Sequence, residues 1–143
     1  MLTLDEVMAA LEGITWFTTI DLVDGFFSLP LYPADRGFTA FHTPLGLFKW
    51  EVLPQGTSAS PAIFQRMMDR WFIAFLWKNV LVWIDDILVY SKTFDEHLKA
   101  LRGVFEVLRQ YGLVVSRRKI NLCMISVKYR LHLWSGRDPG GSR

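Results

Sequence analysis

Cysteine is nearly absent from this chain: Cys123 is the only one in 143 residues. A lone thiol excludes an internal disulfide and any zinc site built from several cysteines, and it fits a reducing interior. Histidine is almost as scarce. His42, His97 and His132 stand far apart without paired metal-ligand spacing, and no serine-histidine or cysteine-histidine arrangement accompanies them. No phosphate-binding glycine loop is present either. The N-terminus reads Met-Leu-Thr-Leu-Asp-Glu and lacks the basic start and apolar run of a secretory signal, so the expected location is intracellular, cytoplasmic or nuclear. Uninterrupted apolar runs are missing as well. The stretch from Trp71 to Tyr90 comes nearest, but Lys78, Asp85 and Asp86 break it, at ~2.5 to 3.5 kcal/mol for each such residue at the centre of a membrane helix. No transmembrane span and no membrane partner are expected.

What is present is enough for one domain. The chain is 51% hydrophobic and 15% aromatic with 21% charged residues, which supports a core and excludes compositional disorder. The net charge is +2, yet it is unevenly spread. Residues 1 to 100 carry 7 Lys/Arg against 12 Asp/Glu, and residues 101 to 143 carry 9 against 2. An acidic lobe followed by a basic one suits a protein that gathers cations in one place and a polyanion backbone in another.

Local patterns outline an α+β chain. Thr3 and Glu6 form a capping-box pair ahead of Leu4, Val7, Met8 and Leu11, and Gly13 follows as a stop. Trp16 to Leu22, rich in β-branched and aromatic residues, reads as a strand with Asp21 near its end. Thr39 to Thr43 and Leu47 to Val52 flank Pro44-Leu45-Gly46 as a hairpin with a three-residue loop. Ser60-Pro61 opens a helix whose apolar face runs through Phe64, Met67, Met68, Trp71, Phe72, Phe75 and Leu76. Val80 to Ile84 and Ile87 to Ser91 read as strands joined at Asp85-Asp86. Thr93 and Glu96 open a helix through Leu98, Leu101, Phe105 and Leu108 that stops at Gly112, and Leu113 to Ser116 is a last strand. From Ile120 the pattern degrades.

With the Pro44 hairpin set aside as an insertion, the order from Trp16 is strand, helix, strand, strand, helix, strand. That is the split βαβ, ferredoxin-like order. In such a unit the first two strands run parallel, so Asp21 and the Asp85-Asp86 pair, 64 positions apart, are expected at one sheet edge. An Asp-Asp pair by itself is usually a polar turn, and a lone Asp is often a helix cap. Here the pair sits between Val-Leu-Val-Trp-Ile and Ile-Leu-Val-Tyr, without the Gly or Asn that tight hairpins favour. Two unit charges 4 Å apart repel by ~4 kcal/mol at an effective dielectric of 20, and a bound cation relieves that conflict. Phosphoryl transfer by two divalent cations needs such hard oxygen ligands.

The series Phe17-Thr18-Thr19-Ile20-Asp21-Leu22, Gly25-Phe26-Phe27, Thr39-Ala40-Phe41, Leu53-Pro54-Gln55-Gly56, Ser60-Pro61-Ala62-Ile63-Phe64-Gln65 and Ile84-Asp85-Asp86-Ile87-Leu88-Val89-Tyr90-Ser91 resembles the palm of reverse transcriptases. It is nearest to the gypsy-type long-terminal-repeat retrotransposons and similar in part to the retroviral enzymes. Ser91-Lys92-Thr93, Glu96-His97-Leu98 and Gly112-Leu113 extend the likeness, which runs from about Leu4 to Tyr129. The resemblance implies a polymerase palm with a partial fingers hairpin over residues 1 to 129. It implies RNA-directed DNA synthesis by two-metal nucleotidyl transfer to a primer 3′-hydroxyl. Asp21, Asp85 and Asp86 would hold two Mg²⁺ ions, or Mn²⁺ in their place, with the Leu22 carbonyl as a further ligand. Phe26 would floor the sugar pocket and exclude a 2′-hydroxyl, and Gln55 would line the incoming deoxynucleoside triphosphate. Lys119, with Arg117 and Arg118, would meet phosphates of an RNA or DNA template and its primer.

Departures from the family pattern bear on the expected activity. Trp83 stands where the family has Tyr, keeping the aromatic bulk near the primer end but losing the hydroxyl. Fingers residues upstream, and thumb, connection and RNase H segments downstream, are expected to belong to a parent polyprotein. The family's Tyr-Leu-Gly-His is replaced by Tyr129-Arg130-Leu131-His132, and residues 130 to 143 read as a diverged, loose tail. Two functions of different class follow: a retrotransposon polymerase core, or a catalytically silent remnant that binds nucleic acid or protein.

Overall fold

Strand β1 (Trp16–Val23) is the axis of the molecule, and the computed structural model describes residues 3 to 125 around it. β5 (Asp86–Ser91) pairs with it antiparallel along six positions, from Trp16↔Ser91 to Asp21↔Asp86. β4 (Val80–Trp83) pairs antiparallel with the far side of β5, so β4 runs parallel to β1 with β5 between them. On its other edge β1 meets two short strands, β6 (Val114–Val115) near its end and β7 (Asn121–Met124) near its start. The five-stranded sheet therefore reads β4-β5-β1-β6 with β7 also on β1. A separate hairpin is formed by β2 (Phe41–Thr43) and β3 (Gly46–Phe48).

The two-residue alternation of the strands sorts side chains to opposite faces. One face carries Ile20, Leu22, Val80, Val82, Ile87 and Val89 into a core with helices α2 (Ser60–Trp71) and α3 (Phe94–Gln110). The other carries Leu81, Leu88 and Tyr90 against Val7 of helix α1 (Leu4–Ala10). Thr3 and Glu6 make both halves of the capping box, whereas Thr93 accepts from the Glu96 amide alone. α3 ends as its sequence suggests. Gly112 takes φ +66, and the Leu113 amide turns back to the Leu108 carbonyl at 2.9 Å.

Several details differ from the sequence reading. α2 stops at Trp71, and Phe72 to Lys78 descend through turns with Phe72 fully buried. Those turns pack against α3 where Gly103 lacks a side chain, since a Cβ there would stand 2.5 Å from Phe75 Cζ. The buried stripe of α3 is His97, Ala100, Leu101, Val104 and Leu108, while Leu98 and Phe105 are exposed. Helical period alone cannot choose between two neighbouring stripes; the sheet does. The hairpin pairs Thr43 with Gly46, so its loop is the two residues Pro44-Leu45 rather than three. β7 was not expected, because Asn121 to Met124 is short and becomes a strand by pairing with β1 across a bulge. The stretch from Trp71 to Tyr90 holds β4 and part of β5, and no helix among the described residues is long and apolar enough to cross a membrane. Tyr129 to His132, the boundary at residue 129 and the tail lie outside the described residues.

A buried polar triad ties α3 to the sheet. His97 is fully enclosed, with Thr18 Oγ1 2.7 Å from Nε2 and Ser91 Oγ 3.2 Å from Nδ1. Thr18 Oγ1 also accepts the Cys123 amide at 2.9 Å, which fastens β7. The network is satisfied when Thr18 donates to Nε2 and Nδ1 donates to Ser91, the neutral tautomer. Burial pushes the imidazole pKa below its ordinary 6.5. The unfolded chain then takes up this proton before the folded one, so stability present above pH 6.5 is lost as the pH falls below it. Urea unfolding of wild type from pH 7.5 to 5.5 is expected to show that loss, with the slope flattened in His97→Gln. Equal slopes in the two proteins would remove His97 as the titrating group.

Candidate active site

The alternation that sends Ile20 and Leu22 into the core turns Asp21 to the opposite face, and the register places it directly across from Asp86. Asp86 is also the register partner of Trp83 on β4. Between Trp83 and Asp86 the chain reverses through Ile84 and Asp85, so the loop lies one residue earlier than Asp85-Asp86. Asp86 is thereby a strand residue and Asp85 a turn residue. The Leu22 amide donates to the Asp85 carbonyl at 2.8 Å, which binds the turn to β1. Ile84 takes φ +51, a left-handed conformation uncommon for a β-branched residue.

Asp85 carries a perturbed carboxyl. Its Oδ1 is buried without a hydrogen-bond partner. Burial first, then the charges of Asp21, Asp86 and Asp24, push its pKa from 3.8 up to about 6, against a small opposing pull from Lys119. Lys119 Nζ lies 3.4 Å from Asp21 Oδ2, so a cation is already drawn to the carboxylates. Gly25 makes the crowding feasible. A Cβ there would stand 2.9 Å from Asp85 Oδ1 and 2.7 Å from Phe64 Cζ. An orphaned carboxylate oxygen amid like charges is the kind of donor a hard divalent ion would satisfy. Among the described residues, no three such side chains already stand close enough to hold a metal as a set.

The other candidates are distributed around this cluster. Leu22 is buried beside Asp21. Phe26 lies in the 3-10 helix Gly25–Ser28, its ring edge-on to Phe64 at 4.9 Å between centroids. It is thus part core aromatic and part neighbour of the Asp85 region. Trp83 sits half-buried at the end of β4, while Arg117 and Arg118 are exposed in the turn that delivers Lys119. Gln55 stands exposed in the turn before α2, and no hydrogen bond among the described residues brings it to the aspartates.

Gln65 appears in the sequence only as the end of the Ser60-to-Gln65 motif, with no role of its own. It sits on α2, and its side chain reaches the strained turn: Oε1 accepts the Ile84 amide at 2.6 Å, while Nε2 donates to the Val82 carbonyl at 3.1 Å and to Asp69 Oδ1 at 2.9 Å. A polar residue one position after buried Phe64 was the available signal, but its target lies 19 positions away.

Comparison with known proteins gives the family. The family profile described as reverse transcriptase (RNA-dependent DNA polymerase) matches residues 2–132. The chain is 36% identical over 114 residues to the putative enzymatic polyprotein of cassava vein mosaic virus, covering 80% of this chain and 17% of that one. It is 36% identical over 118 residues to the enzymatic polyprotein of cauliflower mosaic virus (strain D/H), covering 82% and 17%. Among solved structures it is similar to the foamy viral protease-reverse transcriptase in complex with an RNA/DNA hybrid, at TM-score 0.67 and 34% identity, covering 76% of this chain and 14% of that one. A foamy viral complex with double-stranded DNA aligns at TM-score 0.71 and 33% identity, covering 81% and 20%. The chain belongs to the reverse transcriptase (RNA-dependent DNA polymerase) family. It spans 17% of the length of these curated relatives.

Proposed function

We propose that the chain is the palm of an RNA-directed DNA polymerase, a split βαβ, ferredoxin-like unit with part of a fingers hairpin, from a gypsy-type retrotransposon polyprotein. The observation that carries the reading is the pairing of Asp21 with Asp86 beside the buried, unpartnered Oδ1 of Asp85. Asp21, Asp85 and Asp86 would hold two Mg²⁺ ions, or Mn²⁺, with the Leu22 carbonyl as a further ligand. The chemistry supplied by such ions, when bound there, would be activation of a primer 3′-hydroxyl and stabilisation of the leaving phosphate oxygens.

The chain's own residues supply position and charge. Phe26, propped by Phe64, presents an aromatic wall for the sugar of a deoxynucleoside triphosphate. Gln55 lines the nucleotide from the turn before α2. Trp83 supports the primer end by its bulk, and Lys119 exchanges Asp21 for a phosphate once the acid is otherwise neutralised. Template and primer, RNA or DNA, are the partners, together with fingers, thumb and RNase H segments of the parent polyprotein.

The test is primer extension on an RNA template with Mg²⁺ or Mn²⁺. It should be run with the chain alone and with the chain placed at the matching position of a relative's polyprotein. Metal-dependent extension that disappears in Asp85→Asn is expected. No extension in either setting would sink the reading.

A further inference from the structure

We infer that Gln65 is a positioning residue that locks the Ile84-Asp85 turn and so sets where Asp85 faces Asp21; this rests on the polymerase reading above. The starting point is a conflict in the turn. Ile84 is β-branched and stands at φ +51, where such residues are held only if surrounding contacts over-determine them. Trp83 and Asp86 close the strand ladder on either side, and the Leu22 amide holds the Asp85 carbonyl from β1. The Ile84 side chain packs against the core, and Gln65 holds the Ile84 amide at 2.6 Å.

The orientation of the Gln65 amide is unambiguous. Its Nε2 faces two acceptors, the Val82 carbonyl and Asp69 Oδ1, so Oε1 must be the atom that faces the Ile84 N–H. Asp69 stands one helical turn below Gln65 on α2 and fixes the rotamer of the amide. One side chain therefore bridges helix, strand end and turn. Phe64, the preceding residue, packs beside Gly25, which comes close to Asp85 Oδ1, so consecutive residues of α2 border the turn and the segment facing it. Hydrogen bonds to metal ligands set affinity without touching the metal, and a bond that fixes the backbone next to Asp85 acts on the same geometry one link further out.

The test uses the 143-residue chain labelled with ¹⁵N. Two quantities are read: hydrogen exchange at the Ile84 amide, and the Mn²⁺ concentration that half-broadens the amides of Asp21, Leu22 and Asp86. Gln65→Met keeps length and shape but removes all three hydrogen bonds. It is expected to leave the circular dichroism spectrum unchanged, to speed Ile84 exchange, and to raise the Mn²⁺ midpoint about tenfold, the lower end of the effect for such outer partners. Gln65→Glu retains the acceptor for Ile84 but turns an oxygen toward Val82 and Asp69. It should raise the midpoint too, and it keeps the inference testable if the Met variant does not fold. Wild-type Mn²⁺ midpoints in a folded variant overturn the inference, even if Ile84 exchange has changed. Absence of any Mn²⁺ broadening in wild type overturns instead the polymerase reading, and the inference with it.

Discussion

Asp85→Asn is expected to make the metal-free chain more stable and, on the proposed polymerase reading, to strip it of nucleotide transfer. At neutral pH Asp85 is an ionised, partly buried acid that burial, Asp21, Asp86 and Asp24 all disfavour, which is why its pKa is pushed up to about 6. A carboxyl raised in this way binds its proton more tightly folded than unfolded. Stability is therefore greatest below about pH 4 for this group and declines as the pH rises through 6, the reverse of a salt-bridged carboxylate. Asparagine keeps the shape and removes the charge. After allowance for solvent screening, the gain at pH 7.5 is about 1 kcal/mol, or a melting temperature higher by ~3 to 5 °C for a domain of this size. The gain should shrink as the pH falls through 6 and vanish only below 3.8, where the unfolded carboxyl is protonated as well. The same substitution takes an anionic ligand from the proposed metal site, so extension should fall by ~10³-fold or more, in line with other losses of transition-state charge stabilisation. A variant equally active, or one destabilised at pH 7.5, would show that Asp85 is an ordinary turn residue.

Phe64→Ala will cost the fold more than any surface change, about 3 to 5 kcal/mol for a fully buried aromatic replaced by alanine. Total stability for a domain is only ~5 to 15 kcal/mol, so the variant should melt far lower and populate unfolded chain at 37 °C. The effect has a second part that a cavity alone does not produce. Phe64 supports Phe26 edge-on and occupies the space that a Gly25 side chain would enter. Gly25→Ala should be harmful in wild type, where its Cβ meets both Phe64 Cζ and Asp85 Oδ1. In the Phe64→Ala background the first of these contacts is gone and the methyl group fills part of the void. Chemical unfolding of the double-mutant cycle should give a coupling of ~1 kcal/mol or more in the direction of rescue. Additive effects would mean that the 3-10 segment moves freely relative to α2.

The chain's own sequence was informative wherever structure is local. The cap at Thr3, the left-handed stop at Gly112, the strand alternation around Asp21 and the grouping of Asp85 with Asp86 all follow from neighbours within a few positions. Such features depend on backbone sterics and on which face of an element is apolar, both readable from spacing. Even the meeting of Asp21 with the acid pair was legible, because the order of elements leaves few ways to build one sheet.

Tertiary structure alone decided the rest. It moved the turn from Asp85-Asp86 to Ile84-Asp85, made Asp86 a strand residue, chose the His97 stripe of α3, and turned Asn121 to Met124 into β7. It also brought Gln65 to Ile84 and Gly25 to Asp85. Each of these depends on contact between residues far apart in the chain, where a shift of one position or a single missing Cβ changes which atoms meet. The three aspartates are written in the sequence; the strain, burial and support that set their chemistry arise only when the sheet and α2 close on them.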